Sequence, residues 1–377
     1  MTVGFATAIS LPLGKLAVRS EPDMSVIEGR NPRPFPGCSL AELRGFKSFA
    51  ADVDGYFSDR FGFRSSLLKL CAFIQVRCLN TSLSSEVVIG KDGWLFYKTP
   101  HSFGADSLSN DTLEKWRHAL ERRQQWLAQR GIKYLFVVVP DKDGMYPEFL
   151  PDKMHHAAGH SPVDQLREHM AARSDVPILA LRDVLLETKH SSPERLYFRQ
   201  DSHWNSLGAF VGCQKMVERL GQWFPELKPL DRSRFRVVSR YTRGDLARMM
   251  NAPDFSAGDE ATLEPVDPAN TFVETFTLPG VLQPRERTPF TVKTVHSPTA
   301  LRAVLWRDSF GAGLVPFLPQ RFSSTTFISI EDNSVQFEKA VADAILRAQP
   351  DVVIEERAER RLLVPPDDTV IFGEPNK

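Results

Sequence analysis

The residues of this chain best suited to chemistry begin with Asp201 and His203, a carboxylate and an imidazole two positions apart in the polar run Arg199-Gln200-Asp201-Ser202-His203-Trp204-Asn205. An imidazole titrates near neutrality and can move a proton, and a neighbouring carboxylate can fix its tautomer, but the pair attacks nothing by itself. A nucleophile is needed. Ser309 is the candidate, because the run Arg302-Ala303-Val304-Leu305-Trp306-Arg307 reads as a strand that breaks into a polar turn at Asp308-Ser309 and then into an apolar helix, Ala312 to Phe317. At such a junction a side chain projects from the sheet edge and main-chain amides can face a developing oxyanion. A serine hydroxyl needs a base at neutral pH, so Asp201, His203 and Ser309 together suggest acyl transfer. The competing assignment makes Ser309 a helix N-cap.

The bulk composition narrows the classes of function. At 377 residues the chain holds either two average domains or one large α/β domain with an extension. Lys plus Arg and Asp plus Glu both number 47, which leaves no whole-chain electrostatic basis for a nucleic-acid partner or an anionic membrane surface. Four cysteines without a C-x-x-C pair make neither a disulfide scaffold nor a zinc framework. Cys71 and Cys78, about 10 Å apart if they share a helix, are beyond disulfide reach and read as buried thiols. His155, His156 and His160 lie near Gly159 and Pro162 without a matching Cys or carboxylate pattern, so no metal is expected. The glycines near Ser309 form no phosphate-binding motif, and no cofactor is expected.

The elements that must position these residues follow in chain order. Gly4 to Leu16 is apolar but shorter than the roughly 20 residues that span a bilayer. It reads either as a frayed terminus or as the tail of a membrane anchor, and residues 1–36 together form an anchor tail and Pro-rich arm. Residues 37–97 form an N-terminal extension of two helices within Ser39 to Leu79 and a hairpin over Val87 to Tyr97, turned at Asp92-Gly93. From residue 98 to 365 an α/β rhythm sets in: helix Asp111 to Arg130, strand Tyr134 to Val139, helix Pro162 to Arg173, strand Ile178 to Leu181 and helix Gly208 to Trp223. Residues 225–290, rich in Pro, Asp, Arg and Gly, read as an irregular insertion. Strand Thr325 to Ile330, helix Val335 to Arg347 and strand Asp351 to Glu355 complete the domain, and 366–377 is a tail.

Several stretches resemble the SGNH-hydrolase-like O-acetyltransferases of the alginate type, the AlgX and AlgJ family. They are Asn31-Pro32-Arg33-Pro34-Phe35-Pro36, Tyr56 to Arg64, Val88 to Tyr97, Tyr146-Pro147-Glu148, Asp201 to Asn205, Gly244-Asp245-Leu246-Ala247 and Arg307-Asp308-Ser309-Phe310, all in the family's order. The resemblance implies an α/β, SGNH-hydrolase-like three-layer domain with a largely parallel sheet, preceded by the helical and hairpin extension. It also implies a triad of Asp201, His203 and Ser309 that moves acetyl groups onto hydroxyls of a secreted or cell-surface polysaccharide. The implied setting is the periplasm, with attachment to the inner membrane and a membrane-bound O-acyltransferase as acetyl donor. One departure is plain: ordinary SGNH esterases carry Gly before the Asp-Ser pair, and this chain carries Arg307.

Five more residues are candidates for substrate contact, each with a competing structural role. Lys142 and Tyr146 either reach substrate or satisfy the loop after their strand. Trp204 either stacks on a sugar ring or packs beside the catalytic loop, flanking His203 with Asn205. Arg307 either binds an acidic sugar or pairs with Asp308. Two other functions fit the same residues: an SGNH-type acetyl esterase, and a non-catalytic polysaccharide-binding subunit.

Overall fold

The computed structural model describes residues 33, 46–59, 70–71, 73–78, 81–82, 84–98, 108–154, 161–242, 244–250, 258–266, 271–281, 287–330, 335–367 and 369–372. The expected anchor segment, the Pro-rich arm apart from Arg33, and the His155, His156 and His160 cluster lie outside them. The chain divides into two compact units. The smaller comprises residues 1–98, 199–201 and 242–258, and the larger the remainder. Among the described residues no helix is long and apolar enough to cross a membrane.

In the smaller unit, helix α1 spans Phe46–Asp59, and strands β1 (Val87–Ile89) and β2 (Leu95–Tyr97) pair antiparallel. The turn between them forms because Asp92 and Gly93 take φ of 52° and 75°, where Gly has no Cβ penalty and Asp is tolerated. Its core joins Val76, Val87 and Leu95 to Leu246, Ala247 and Met250, so the short helix Asp245–Met249 belongs to this unit. Cys71 is exposed rather than buried, on a segment whose Leu70, Phe73 and Ile74 also face outward.

The larger unit is built on a seven-stranded sheet. Its strands are β3 (Lys133–Val139), β4 (Ile178–Ala180), β7 (Thr271–Thr275), β8 (Phe290–Thr294), β9 (Arg302–Arg307), β10 (Ser324–Ser329) and β11 (Val352–Ala358), in the order β4-β3-β11-β9-β10-β8-β7. The first five are mutually parallel; β8 runs antiparallel to both β10 and β7. A parallel sheet needs both faces covered, and β3 shows it. Tyr134, Phe136 and Val138 join a core with helices α2 (Asn110–Ala128), α3 (Pro162–Ala171) and α6 (Val335–Ala348), while Leu135, Val137 and Val139, which point the other way, are equally buried. Helices α4 (Arg182–Ser191) and α5 (Ser206–Leu220) pack on each other, and α5 also meets the turn after β9. Caps fix the helix starts: the Ser109 and Ser161 hydroxyls accept the N–H groups of Thr112 and Asp164, and Gly131, at φ 72°, ends the turn after α2.

Two stretches differ from the sequence expectation. The segment taken as irregular contains β5 (Phe235–Thr242) and β6 (Gly258–Pro265), which pair with each other, and β7. All of β7 and most of β5 are solvent-exposed, so neither carries the apolar alternation that marks a half-buried strand. Strand β11 continues beyond Glu355 through Glu356 and Arg357 to Ala358, all buried. Glu355 and Arg357 are tolerated there because they are paired: Glu355 accepts from Arg123 at 2.6 Å, Arg357 at 2.9 Å and the Tyr134 hydroxyl at 2.7 Å. Burial alone would raise the Glu355 carboxyl, but Arg123, Arg357 and Tyr134 outweigh it and hold the group below its usual range.

Candidate active site

Ser309 follows the end of β9. Asp308 shapes the turn: its Oδ1 accepts the Phe310 N–H at 2.9 Å and its Oδ2 the Ala358 N–H at 2.7 Å, which ties the end of β9 to β11. The expected helix after Ser309 is a 3-10 turn, Phe310–Leu314, in a stretch that carries Gly311 and Gly313 and is closed by Pro316. Ser309 precedes it with φ −66° and ψ −25°, and its hydroxyl makes no capping bond. Instead Ser309 is exposed, with Oγ 2.7 Å from His203 Nε2. The N-cap assignment therefore does not describe it. The main-chain N–H of Phe310 is taken by Asp308, whereas that of Ser309 has no partner among the described residues.

His203 is held by a hairpin that leads into α5. The Phe198 N–H donates to the His203 carbonyl at 3.3 Å, Tyr197 pairs with Trp204, and the Asn205 N–H donates to the Leu196 carbonyl at 2.8 Å. The Tyr197 hydroxyl anchors the hairpin to the sheet by donating to the Pro140 carbonyl at 2.7 Å, just past β3. His203 Nδ1 lies 3.3 Å from Ser202 Oγ. For Nε2 to accept the Ser309 proton, Nδ1 must carry the ring N–H, and a hydroxyl can accept from it.

Asp201 belongs to the smaller unit, where its Oδ2 accepts the Asp245 N–H at 2.9 Å. Gly244 is required beside it. A Cβ at that position would run into the Gln200 carbonyl and come within 2.7 Å of the Asp201 nitrogen. The Arg199 carbonyl accepts from Leu95 of β2 at 2.9 Å, so both the hairpin strand and the Gly244-Asp245 segment grip this stretch.

The remaining candidates are largely internal. Trp204 is 2 % exposed, and its Nε1 donates to the Phe310 carbonyl at 2.9 Å. Asn205 caps α5: Oδ1 accepts the Leu207 and Gly208 N–H groups at 3.0 Å, and Nδ2 donates to the Arg195 carbonyl at 2.6 Å. Tyr146 is buried, accepts the Leu196 N–H at 2.9 Å, and has the Lys189 ammonium 4.3 Å from its ring centroid. Lys142, in the one-turn helix Lys142–Met145 after β3, is buried with Asp143. Arg307 is buried and donates to the Asp308 carbonyl at 2.9 Å. Beside it on β11 lies Glu356, whose carboxyl is held well above its usual range, first by burial and then by the Asp308 charge, with Arg307 opposing. Gly311 has no room for a Cβ because the Arg307 and Glu356 side chains pack against it.

Residue type and spacing point to none of Ser202, Tyr197 and Phe310 as site residues and give Asp308 no role in the turn. Tyr197, Phe310 and Asp308 act through main-chain or aromatic contacts, and Ser202 through its hydroxyl beside His203 Nδ1, none of which residue type announces. Phe310 is the hub, with the rings of His203, Trp204 and Tyr197 centred 4.9, 5.8 and 6.2 Å away and the Arg360 guanidinium 5.1 Å from its centroid. Arg360 also bonds Asp141 at the neighbouring strand ends. Burial pushes Asp141 up to about 6 against the Arg360 charge, and burial together with the Asp141 charge pushes Glu359 to about 7.

An exposed serine on an imidazole, at the C-terminal edge of a helix-covered and mostly parallel sheet, defines an SGNH hydrolase-like α/β protein. The family model described as SGNH hydrolase-like domain, acetyltransferase AlgX, matches residues 87–275, half of the chain, and the chain belongs to that family. Ser309 lies beyond the matched stretch. A relative from Pseudomonas aeruginosa named Probable alginate O-acetylase AlgJ is 31% identical over 201 residues, covering 53% of this chain and 46% of its own length. A second of that name, from Pseudomonas syringae pv. tomato, is 26% identical over 252 residues, covering 66% and 57%. The chain thus spans about half the length of the curated relatives it matches. Among solved structures, Bacillus cereus PatB1 superposes with a TM-score of 0.54 at 17% identity, covering 73% of this chain and 96% of that one. The O-acetyltransferase domain of Pseudomonas putida AlgJ superposes with a TM-score of 0.52 at 19% identity, covering 76% and 95%. Both share the fold.

Proposed function

We propose that this protein transfers acetyl groups through an acetyl-Ser309 intermediate onto hydroxyls of a secreted or cell-surface polysaccharide. The observation that carries the reading is the 2.7 Å approach of His203 Nε2 to an exposed Ser309 Oγ. Family membership and relatives named as alginate O-acetylases support the acetyl group and the glycan.

In the first half-reaction Ser309 Oγ attacks the acetyl carbonyl while His203 Nε2 takes its proton, and the same proton then leaves with the donor's oxygen. The Ser309 N–H, which has no partner among the described residues, supplies one donor to the oxyanion. In the second half-reaction a glycan hydroxyl gives its proton to His203 and attacks the acetyl-enzyme, and Ser309 recovers its own. Asp201, two residues before the base, is the proposed third member, the carboxylate that fixes the imidazole. Trp204, Asn205, Tyr146 and Arg307 serve the site by holding backbone rather than by touching substrate, and Lys142 is buried in the turn after β3. The proposed setting is the periplasm, with a membrane-bound O-acyltransferase delivering acetyl groups.

The test is labelling. An activated acetyl ester is expected to acetylate Ser309 in the intact chain, and Ser309→Ala to abolish the label while the fold persists. With oligosaccharide present, product is expected as acetylated glycan. Free acetate alone would make the protein an esterase, and a label that survives in Ser309→Ala would end the proposal.

A further inference from the structure

Trp204 sits beside the base in sequence, and the atom it holds belongs to the residue after the nucleophile. Its indole N–H donates 2.9 Å to the Phe310 carbonyl, while the Phe310 N–H is held 2.9 Å from Asp308 Oδ1. The Phe310 main chain is therefore clamped at both polar atoms, once from its own strand end and once from the segment that carries His203. Trp204 is also paired with Tyr197, whose hydroxyl is fixed to the Pro140 carbonyl. A continuous chain of contacts runs from the end of β3, through Tyr197 and Trp204, to the turn after β9.

The surrounding glycines show that the space is reserved for this ring. A Cβ on Gly212 of α5 would lie 2.8 Å from the indole Cζ3, and one on Gly313 would lie 2.7 Å from Nε1. At Gly208 a Cβ would run into the Leu196 carbonyl and come within 3.1 Å of the Trp204 Cβ. The absence of side chains at these three positions lets the indole lie between α5 and the nucleophile turn. A sugar cannot stack on a ring that is 2 % exposed and faced by these glycines.

We infer that Trp204 is a positioning residue for acyl transfer: its indole N–H, bonded to the Phe310 carbonyl, sets the separation of His203 and Ser309. This rests on the triad reading above. The bond joins the residues that directly follow base and nucleophile, so slack in it passes into the His203–Ser309 distance within one residue on each side. Misplacement of reacting groups by about 1 Å can cost about a hundredfold in rate.

The experiment compares acetylation of Ser309 by p-nitrophenyl acetate in the unaltered chain, Trp204→Phe and Gly313→Ala. Trp204→Phe keeps a buried aromatic ring and removes the donor; Gly313→Ala keeps the donor and crowds it. Both are expected to lower kcat about tenfold to a hundredfold with KM within about twofold, since acetate ester binding does not involve the indole. Thermal melting identifies the folded fraction on which the rates are compared. Native kcat in folded Trp204→Phe would overturn the inference and leave the triad reading intact. An unaltered chain that never labels would overturn the triad reading, and this inference with it.

Discussion

His203 Nε2 and Ser309 Oγ lie 2.7 Å apart although 106 residues separate them in the chain. A base and nucleophile in this relation act as one unit, so their losses do not add. Ser309→Ala and His203→Ala are each expected to lower kcat by about a thousandfold or more, and the double variant to be no worse than either. Ser309 is exposed and makes no capping bond, so thermal melting of Ser309→Ala should stay close to native. Steady-state rates with an acetyl ester, measured on all three variants, check the pattern; additive losses would mean that the two side chains act independently.

Asp201 invites a finer test through the donor it accepts. Asp245 is the first residue of its helix, and Gly244 before it is extended, at φ −65° and ψ 154°. Proline fits both constraints, so Asp245→Pro removes the N–H bonded to Asp201 without forbidding the helix. Asp245→Ala keeps that N–H while losing the same carboxylate. The Pro variant should slow Ser309 acetylation about tenfold and the Ala variant barely at all; equal rates would show that the bond to Asp201 is catalytically idle. Asp201→Asn should slow transfer less than His203→Ala does, since a carboxylate that orients the base does not itself take the proton.

How much of this was legible beforehand depended on where burial left a periodic trace. Strand β3 and the apolar part of β9 are buried on both faces and read as apolar runs, and the β1–β2 turn announced itself through Asp92-Gly93. Strands β5 and β7 leave no trace because most of their side chains are exposed. The full length of β11 is hidden, since its Glu and Arg residues look like surface and only the fold brings Arg123 of α2 and Tyr134 of β3 to pair with Glu355. At the site the pair His203 and Ser309 was readable from type and from the strand-to-turn context. The supports were not: Asp308 works through the amides of Phe310 and Ala358, and Gly244 through the room it leaves. Trp204 and Asn205 bond backbone groups, the Phe310 and Arg195 carbonyls and the first amides of α5, which residue type does not announce.

Asp308 carries two main-chain bonds on two oxygens, so replacing one oxygen by an amide nitrogen orphans a buried amide. Asp308→Asn is expected to cost about 1–3 kcal/mol, the penalty of an unsatisfied buried donor. Denaturant midpoints check the value. Because the turn that carries Ser309 is one of the two partners, acetylation should slow as well. A stable but slow variant would place the lost bond at Phe310, and an unstable but fast one at Ala358.

Glu359 and Asp141 make the fold sensitive to pH in a direction opposite to acid denaturation. Glu359 accepts the Val163 N–H at 3.2 Å and the Asp141 N–H at 3.4 Å, while Arg360 bonds Asp141. Burial, with the Asp141 charge second, raises Glu359 from 4.5 to about 7, and burial raises Asp141 from 3.8 to about 6. A raised carboxyl binds more protons folded than unfolded, so stability falls as pH rises between the unfolded and folded values. These two groups therefore contribute most below pH 4, and their contribution is lost as pH climbs to 7. Glu355, held low by Arg123 and Arg357, works the other way and loses its contribution in acid, below its ordinary 4.5. The melting temperature should accordingly rise as pH is lowered from 8 towards 5.5. Glu359→Gln, which cannot ionise, should flatten that slope, and a slope unchanged in the variant would place the protonation elsewhere.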